Sequence, residues 1–203
     1  MRRCELSRLA KNSDITDEQL DQLDTDILQQ LEGRLIAHTV DELVDAYRVG
    51  KSRHFEAIAQ GKHDNHGFRG ERGLEFHCIG AAGEYAAAKA LGIPWERTIN
   101  TFKLADLGTI IQVRTRPYKK GWEQDLQVRP GDKDDEIFVH VVEQLSPLQF
   151  RVYGWLYGRD AKKTIAWTRP DRPNPVYYTP WVDLDTLQTL QEILAGIQTN
   201  DTH

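Results

Sequence analysis

Seven of the nine residues from Gly80 to Ala88 are glycine or alanine, and the two exceptions are Glu84 and Tyr85. The run sits inside a helical segment from about Leu74 to Leu91, closed by Gly92 and Pro94. A helix with so little bulk fills little of a core with its own side chains. It does let another backbone come close, and packing flat on a sheet is the simplest use of that. The expectation is a helix laid along a sheet, with Ala82 and Ala86 buried against Ile111 and Val113. Such a helix carries Glu84 across the sheet as well.

The rest of the chain supplies the sheet. Thr98 to Lys103 is β-rich, and Ile110–Thr115, Leu126–Arg129, Ile137–Val142 and Phe150–Leu156 read as strands. Gly108, Pro130-Gly131 and Ser146-Pro147 are turn signals. Two capping boxes start helices upstream. Thr16-Asp17-Glu18-Gln19 opens one with the stripe Leu20, Leu23, Ile27, Leu28 and Leu31, ending at Gly33. Thr39-Val40-Asp41-Glu42 opens another that runs to about Gln60, with Leu43, Val44, Tyr47, Phe55 and Ile58 as its buried candidates. Leu184, Leu187, Leu190, Leu194 and Ile197 form a last helical stripe, and Gly158–Lys163 has room for a short helix. Helices first and strands after give an α/β (α+β) class with one sheet. An N-terminal helical extension is expected over residues 1–37 and the main domain over 38–203.

No run reaches 18 uncharged apolar residues, and no apolar stretch follows the start, so neither a membrane span nor a signal peptide is expected. Cys4 and Cys78 are too few for a disulfide framework and are expected to be unpaired, Cys78 as a buried small hydrophobe. A cytoplasmic setting is the expectation. The net charge of −5, from 26 basic and 31 acidic residues, argues against coating nucleic acid by bulk charge. It leaves room for a local basic site. Residues 113–129 hold Arg114, Arg116, Lys119, Lys120 and Arg129 against Glu123 and Asp125, with Tyr118 and Trp122 among them. That pattern suits phosphate contacts from Arg116, Lys119 and Lys120 with a base stacked on Trp122, or else a solvated hairpin rim.

The densest chemistry lies in Ala105-Asp106-Leu107-Gly108-Thr109-Ile110-Ile111-Gln112-Val113-Arg114. A turn at Leu107–Thr109 places Asp106 at the end of one strand. Gln112 and Arg114, two apart on the next, share a face. An acid, an amide and a cation thus meet at a hairpin edge, with Glu84 on the helix that crosses it. Elsewhere, His63 and His66 flank Asp64-Asn65 in a loop, and His77 lies seven residues before Glu84. Arg53 and His54 suit a face turned to phosphate or, more simply, a solvated helix surface, and Asp132, Asp134 and Asp135 suit a bound cation or, more simply, a polar turn. No phosphate-cradling glycine loop, nucleophile elbow or CxxC pair is present.

The order Glu84, Asp106, Gln112-Val113-Arg114 resembles the PD-(D/E)XK nuclease superfamily, whose restriction-endonuclease-like fold is a central mixed sheet flanked by helices. Gly80-Ala81-Ala82-Gly83-Glu84 together with Asn100-Thr101-Phe102, Asp106-Leu107-Gly108, Gln112-Val113-Arg114-Thr115 and Gly154-Trp155 looks like phage and prophage proteins assigned to that superfamily. The likeness covers about residues 38–185. It implies a nuclease-like domain that hydrolyses DNA phosphodiester bonds with Mg²⁺ or Mn²⁺. Asp106 is then the central metal ligand, Gln112 a carbonyl ligand directly or through water, Glu84 a ligand of the metal or its water, and Arg114 the group that neutralises the scissile phosphate. It further implies a host-cytoplasm location if phage-encoded, and a homo-oligomer is compatible with it. Two positions depart from the pattern. Arg114 replaces lysine and stays protonated, so it cannot serve as a base. Gln112 replaces the commoner acid. The alternative these departures raise is a non-catalytic nucleic-acid-binding or host-interaction protein on a degenerate nuclease fold.

Overall fold

The structure is a computed structural model that describes residues 33–61, 71–99, 105–118, 125–163 and 175–200. Strand β1 (Arg34–Ala37) leads into helix α1 (Val40–Ala59) and then α2 (Glu71–Leu91). Strands β2 (Ile111–Arg116), β3 (Leu126–Val128), β4 (Ile137–Glu143) and β5 (Gln149–Tyr157) follow. Helix α3 (Gly158–Ala161), β6 (Tyr177–Thr179), a 3₁₀ turn (Trp181–Asp183) and α4 (Leu187–Asn200) complete it. The main sheet has the order β1-β5-β4-β2. Strands β2 and β4 are parallel and the other pairs antiparallel, so the sheet is mixed. A second sheet pairs β3 with β6.

Alternation along the strands makes two cores. Ile111, Val113, Ile137, Val139, Val141, Phe150 and Val152 pack with the α2 alanines and Leu190 of α4. Phe138 and Leu156 face the other way, against Leu126, Val128, Ala161 and Leu184. The small-residue helix thus lies along the sheet as its composition dictates: Ala82 and Ala86 are fully buried, Ile111 is 2% exposed and Val113 8%. No described helix is long and apolar enough to cross a membrane.

The capping box at Thr39 is present, with Thr39 Oγ1 accepting from the Glu42 amide at 3.2 Å and Glu42 Oε2 from the Thr39 amide at 2.8 Å. The expected buried face of α1 is corrected. Val44, Phe55 and Ile58 are exposed, and Ala46, Val49 and Gly50 are buried. Small residues decide the phase, because α1 meets α2 closely. A Cβ on Gly50 would stand 2.5 Å from the Cα of Cys78, with no flexible atom to yield. Gly50→Ala should therefore lower stability by about 1–3 kcal/mol, the usual cost of overpacking, as urea denaturation would measure.

β1 falls within residues 1–37, where a helical extension is expected. It pairs with β5, from Arg34 opposite Val152 to Ala37 opposite Gln149. Residues 98 and 99 carry no regular structure, and the rest of the expected strand to Lys103 lies outside the described residues. So do the expected helix after Thr16, Cys4, and the histidines 63 and 66. Cys78 is buried and unpaired, its thiol donating to the Tyr47 carbonyl at 3.6 Å.

Candidate active site

Gly83 sets the position of Glu84. A Cβ on Gly83 would lie 2.0 Å from Thr115 Oγ1, so α2 presses on β2 at this point. The next residue, Glu84, is thereby held beside the same strand and is 5% exposed. Its partner comes from α1. The Arg53 guanidinium donates from Nη1 to Glu84 Oε1 at 2.5 Å and from Nη2 to Oε2 at 2.7 Å, a fork-on-carboxylate pair. Its Nε donates to the Thr98 carbonyl at 2.9 Å. Burial works against the Arg53 charge, but the Glu84 bonds with the Glu84 and Asp106 charges outweigh it, and the guanidinium is more firmly protonated than in free arginine.

Asp106 sits at the turn before β2, where Gly108 takes a positive φ of 56°. Its amide donates to the Ile111 carbonyl at 2.9 Å, and its Oδ2 accepts from the Val113 amide at 2.8 Å. The carboxylate therefore takes the place of a neighbouring strand along β2. The residue keeps part of its surface exposed while its carboxyl is enclosed by protein. Burial and the nearby Glu84 charge push the Asp106 carboxyl up to about 7, against the pull of the Val113 amide, Arg114 and Arg53. Glu42 shows the opposite case. Hydrogen bonding to Lys89 is the main cause that holds it at about 2. Glu84 thus has its own cation, and Asp106 is the acid left without enough positive charge.

The native protein keeps the Asp106 proton to about pH 7, whereas the unfolded chain releases it near its ordinary 3.8. The native state binds the extra proton in that window, so this group's contribution to stability falls as pH rises through it. Asp106→Asn keeps an acceptor for the Val113 amide and removes the charge. It should match the parent near pH 4 and exceed it by a few kcal/mol at pH 8. Thermal unfolding followed from pH 4 to 8 checks this.

Gln112 and Arg114 share a face of β2, as their spacing requires, and it is the face away from α2. Gln112 stands opposite Phe138 in register, and the Arg114 guanidinium lies 5.0 Å from the Phe138 ring centre. Arg114 Nη2 also pairs with Asp132 Oδ2 at 2.8 Å, and that oxygen accepts from the Arg129 amide at 2.8 Å. Asp132 is thus a turn residue that fixes Arg114. The structure pairs Glu84 with Arg53 on the α2 side, and Asp106, bonded to the edge of β2, feels the charges of Glu84, Arg114 and Arg53. It sets Gln112 and Arg114 on the other side of the strand, with the Arg114 charge still acting on Asp106.

Arg116 continues the Arg114 face and donates from Nη1 to the Asp125 carbonyl at 3.1 Å. Lys119, Lys120 and Trp122 lie outside the described residues. His77 rests against His54, ring centres 5.4 Å apart. The reading of Arg53 as solvated surface is corrected, because its side chain is 14% exposed and paired with Glu84. The signal was legible: Arg53 continues the Ala46, Val49, Gly50 stripe at helical spacing, and that stripe is the buried one.

Among the described residues no group of three or more His, Cys, Asp and Glu is gathered to hold a metal ion. Mg²⁺ asks for less, since one or two carboxylates suffice when waters and substrate phosphates complete its shell. No family model matches this chain, and neither a curated protein nor a solved structure shows a significant match to it.

Proposed function

We propose that the chain is a metal-dependent nuclease of the PD-(D/E)XK kind that hydrolyses DNA phosphodiester bonds in the cytoplasm, that of the host if the protein is phage-encoded. The observation that carries this is the enclosed Glu84–Asp106 pair, whose second carboxylate lacks a matching cation. The order of parts supports it: a helix with the glutamate, an aspartate before a tight turn, and Gln-x-Arg on a strand of a mixed sheet.

The donors fit Mg²⁺ or Mn²⁺. They are hard oxygens, Asp106 gives only Oδ2 to the Val113 amide, and the Asp106 proton held to about pH 7 marks a place where positive charge is wanted. Asp106 and Glu84 would hold the ion, and Gln112 would offer its carbonyl through water from the other face. The ion supplies charge relief on the phosphoryl oxygens and activation of water. Arg53 fixes the orientation of Glu84. Arg114, always protonated, would neutralise charge on the phosphate only by leaving Asp132, and it takes no proton. Arg116, Lys119, Lys120 and Trp122 carry the DNA backbone and a stacked base. Hydrolysis consumes one water and yields a phosphomonoester and a hydroxyl.

The tether of Arg114 to Asp132 favours the second reading, a non-catalytic nucleic-acid-binding or host-interaction protein, because it holds the guanidinium away from Glu84. Supercoiled plasmid and a single-stranded oligonucleotide incubated with Mg²⁺, with Mn²⁺ and with chelator separate the two. The nuclease reading expects cleavage in metal and none in chelator. Binding without cleavage in either metal supports the second reading.

A further inference from the structure

Arg53 belongs to no part of the motif that points to a nuclease, yet it makes the tightest polar contact of the site. Both Glu84 oxygens receive one of its nitrogens, at 2.5 and 2.7 Å, and its third donor is fixed on Thr98. A guanidinium so placed occupies the carboxylate edge through which Glu84 would approach a cation. It also brings a positive charge next to the point where a divalent ion would sit. The same planar fork that matches a carboxylate matches a phosphate.

Resting on the nuclease reading, we propose that Arg53 is the resident counter-cation of the Glu84–Asp106 pair and competes with the divalent ion for Glu84. An arriving phosphodiester takes the guanidinium onto its own oxygens, so metal and DNA load together and the free protein binds metal weakly. Arg53 acts here as a positioning residue with two alternative partners, and substrate controls which one it holds. The coupling is reciprocal: DNA raises metal affinity by the factor by which metal raises DNA affinity.

The test uses Mn²⁺ as the probe, its binding followed by electron paramagnetic resonance of the free ion. The full chain is compared with Arg53→Gln, Arg53→Lys and Asp106→Asn, with and without a phosphorothioate oligonucleotide. Without oligonucleotide, Arg53→Gln should bind Mn²⁺ roughly tenfold or more tightly than the parent, a difference of about 1.4 kcal/mol or more. Arg53→Lys, which keeps the charge but loses the fork, should fall between them, and it serves where Arg53→Gln does not fold. The oligonucleotide should tighten Mn²⁺ binding to the parent and have less effect on Arg53→Gln. Equal or weaker binding by both Arg53 variants overturns the proposal. If Asp106→Asn still abolishes Mn²⁺ binding in that case, the nuclease site stands and only the role of Arg53 fails. Mn²⁺ binding by Asp106→Asn at parent strength, or none in any protein with oligonucleotide present, removes the site and the proposal together.

Discussion

Asp106→Ala should reduce metal-dependent cleavage of DNA to the level seen in chelator while leaving the protein folded. Asp106 reaches the edge of β2 directly, bonded to the Val113 amide, and feels the Glu84 charge. Its removal takes away a ligand for the ion and with it both water activation and charge relief. The backbone loses one side-chain acceptor, a loss offset by the end of repulsion between two enclosed carboxyls. Circular dichroism alongside the plasmid assay distinguishes lost chemistry from lost structure. A variant that is folded and as active as the parent moves the chemistry elsewhere.

The second large effect concerns stability. Arg53 and Glu84 are 14% and 7% exposed in their side chains, so each would be a poorly solvated charge without the other. Breaking a buried pair from one side typically costs about 3–5 kcal/mol, because the remaining charge has no partner. Glu84→Gln should lose up to that much in urea denaturation, with Arg53 left to the Thr98 carbonyl and the Asp106 charge. Arg53→Met with Glu84→Met should recover most of the loss, since it removes both charges and keeps the volume. If the double variant is as unstable as Glu84→Gln, packing rather than charge pairing holds α1 to α2 at this point.

The sequence makes the frame legible where one residue type leaves one option. The glycines and alanines of α2 require a close surface, and the sheet supplies it. The Thr39 box starts α1 at the expected place. The pattern failed where bulk and smallness disagreed. Val44, Phe55 and Ile58 have the spacing of a core face, yet Ala46 and Gly50 win the interior because only they let α2 within reach. Of the site, the nearness of the Glu84 charge to Asp106 follows from a helix laid over a hairpin edge. The partners of Arg53 and Arg114 were not legible. Both pairings join segments far apart in the chain, α1 with α2 and β2 with the turn at Asp132, and local spacing carries no trace of them. β1 escaped notice because Arg34–Ala37 is too short to alternate visibly.

Crystals grown with Mn²⁺ and a phosphorothioate oligonucleotide, with anomalous data collected at the manganese edge, would locate the ion. An anomalous peak is expected in contact with the Asp106 and Glu84 carboxylates, with a phosphate oxygen beside it. An oligonucleotide bound elsewhere on the chain, with no peak at these two carboxylates, would contradict this site.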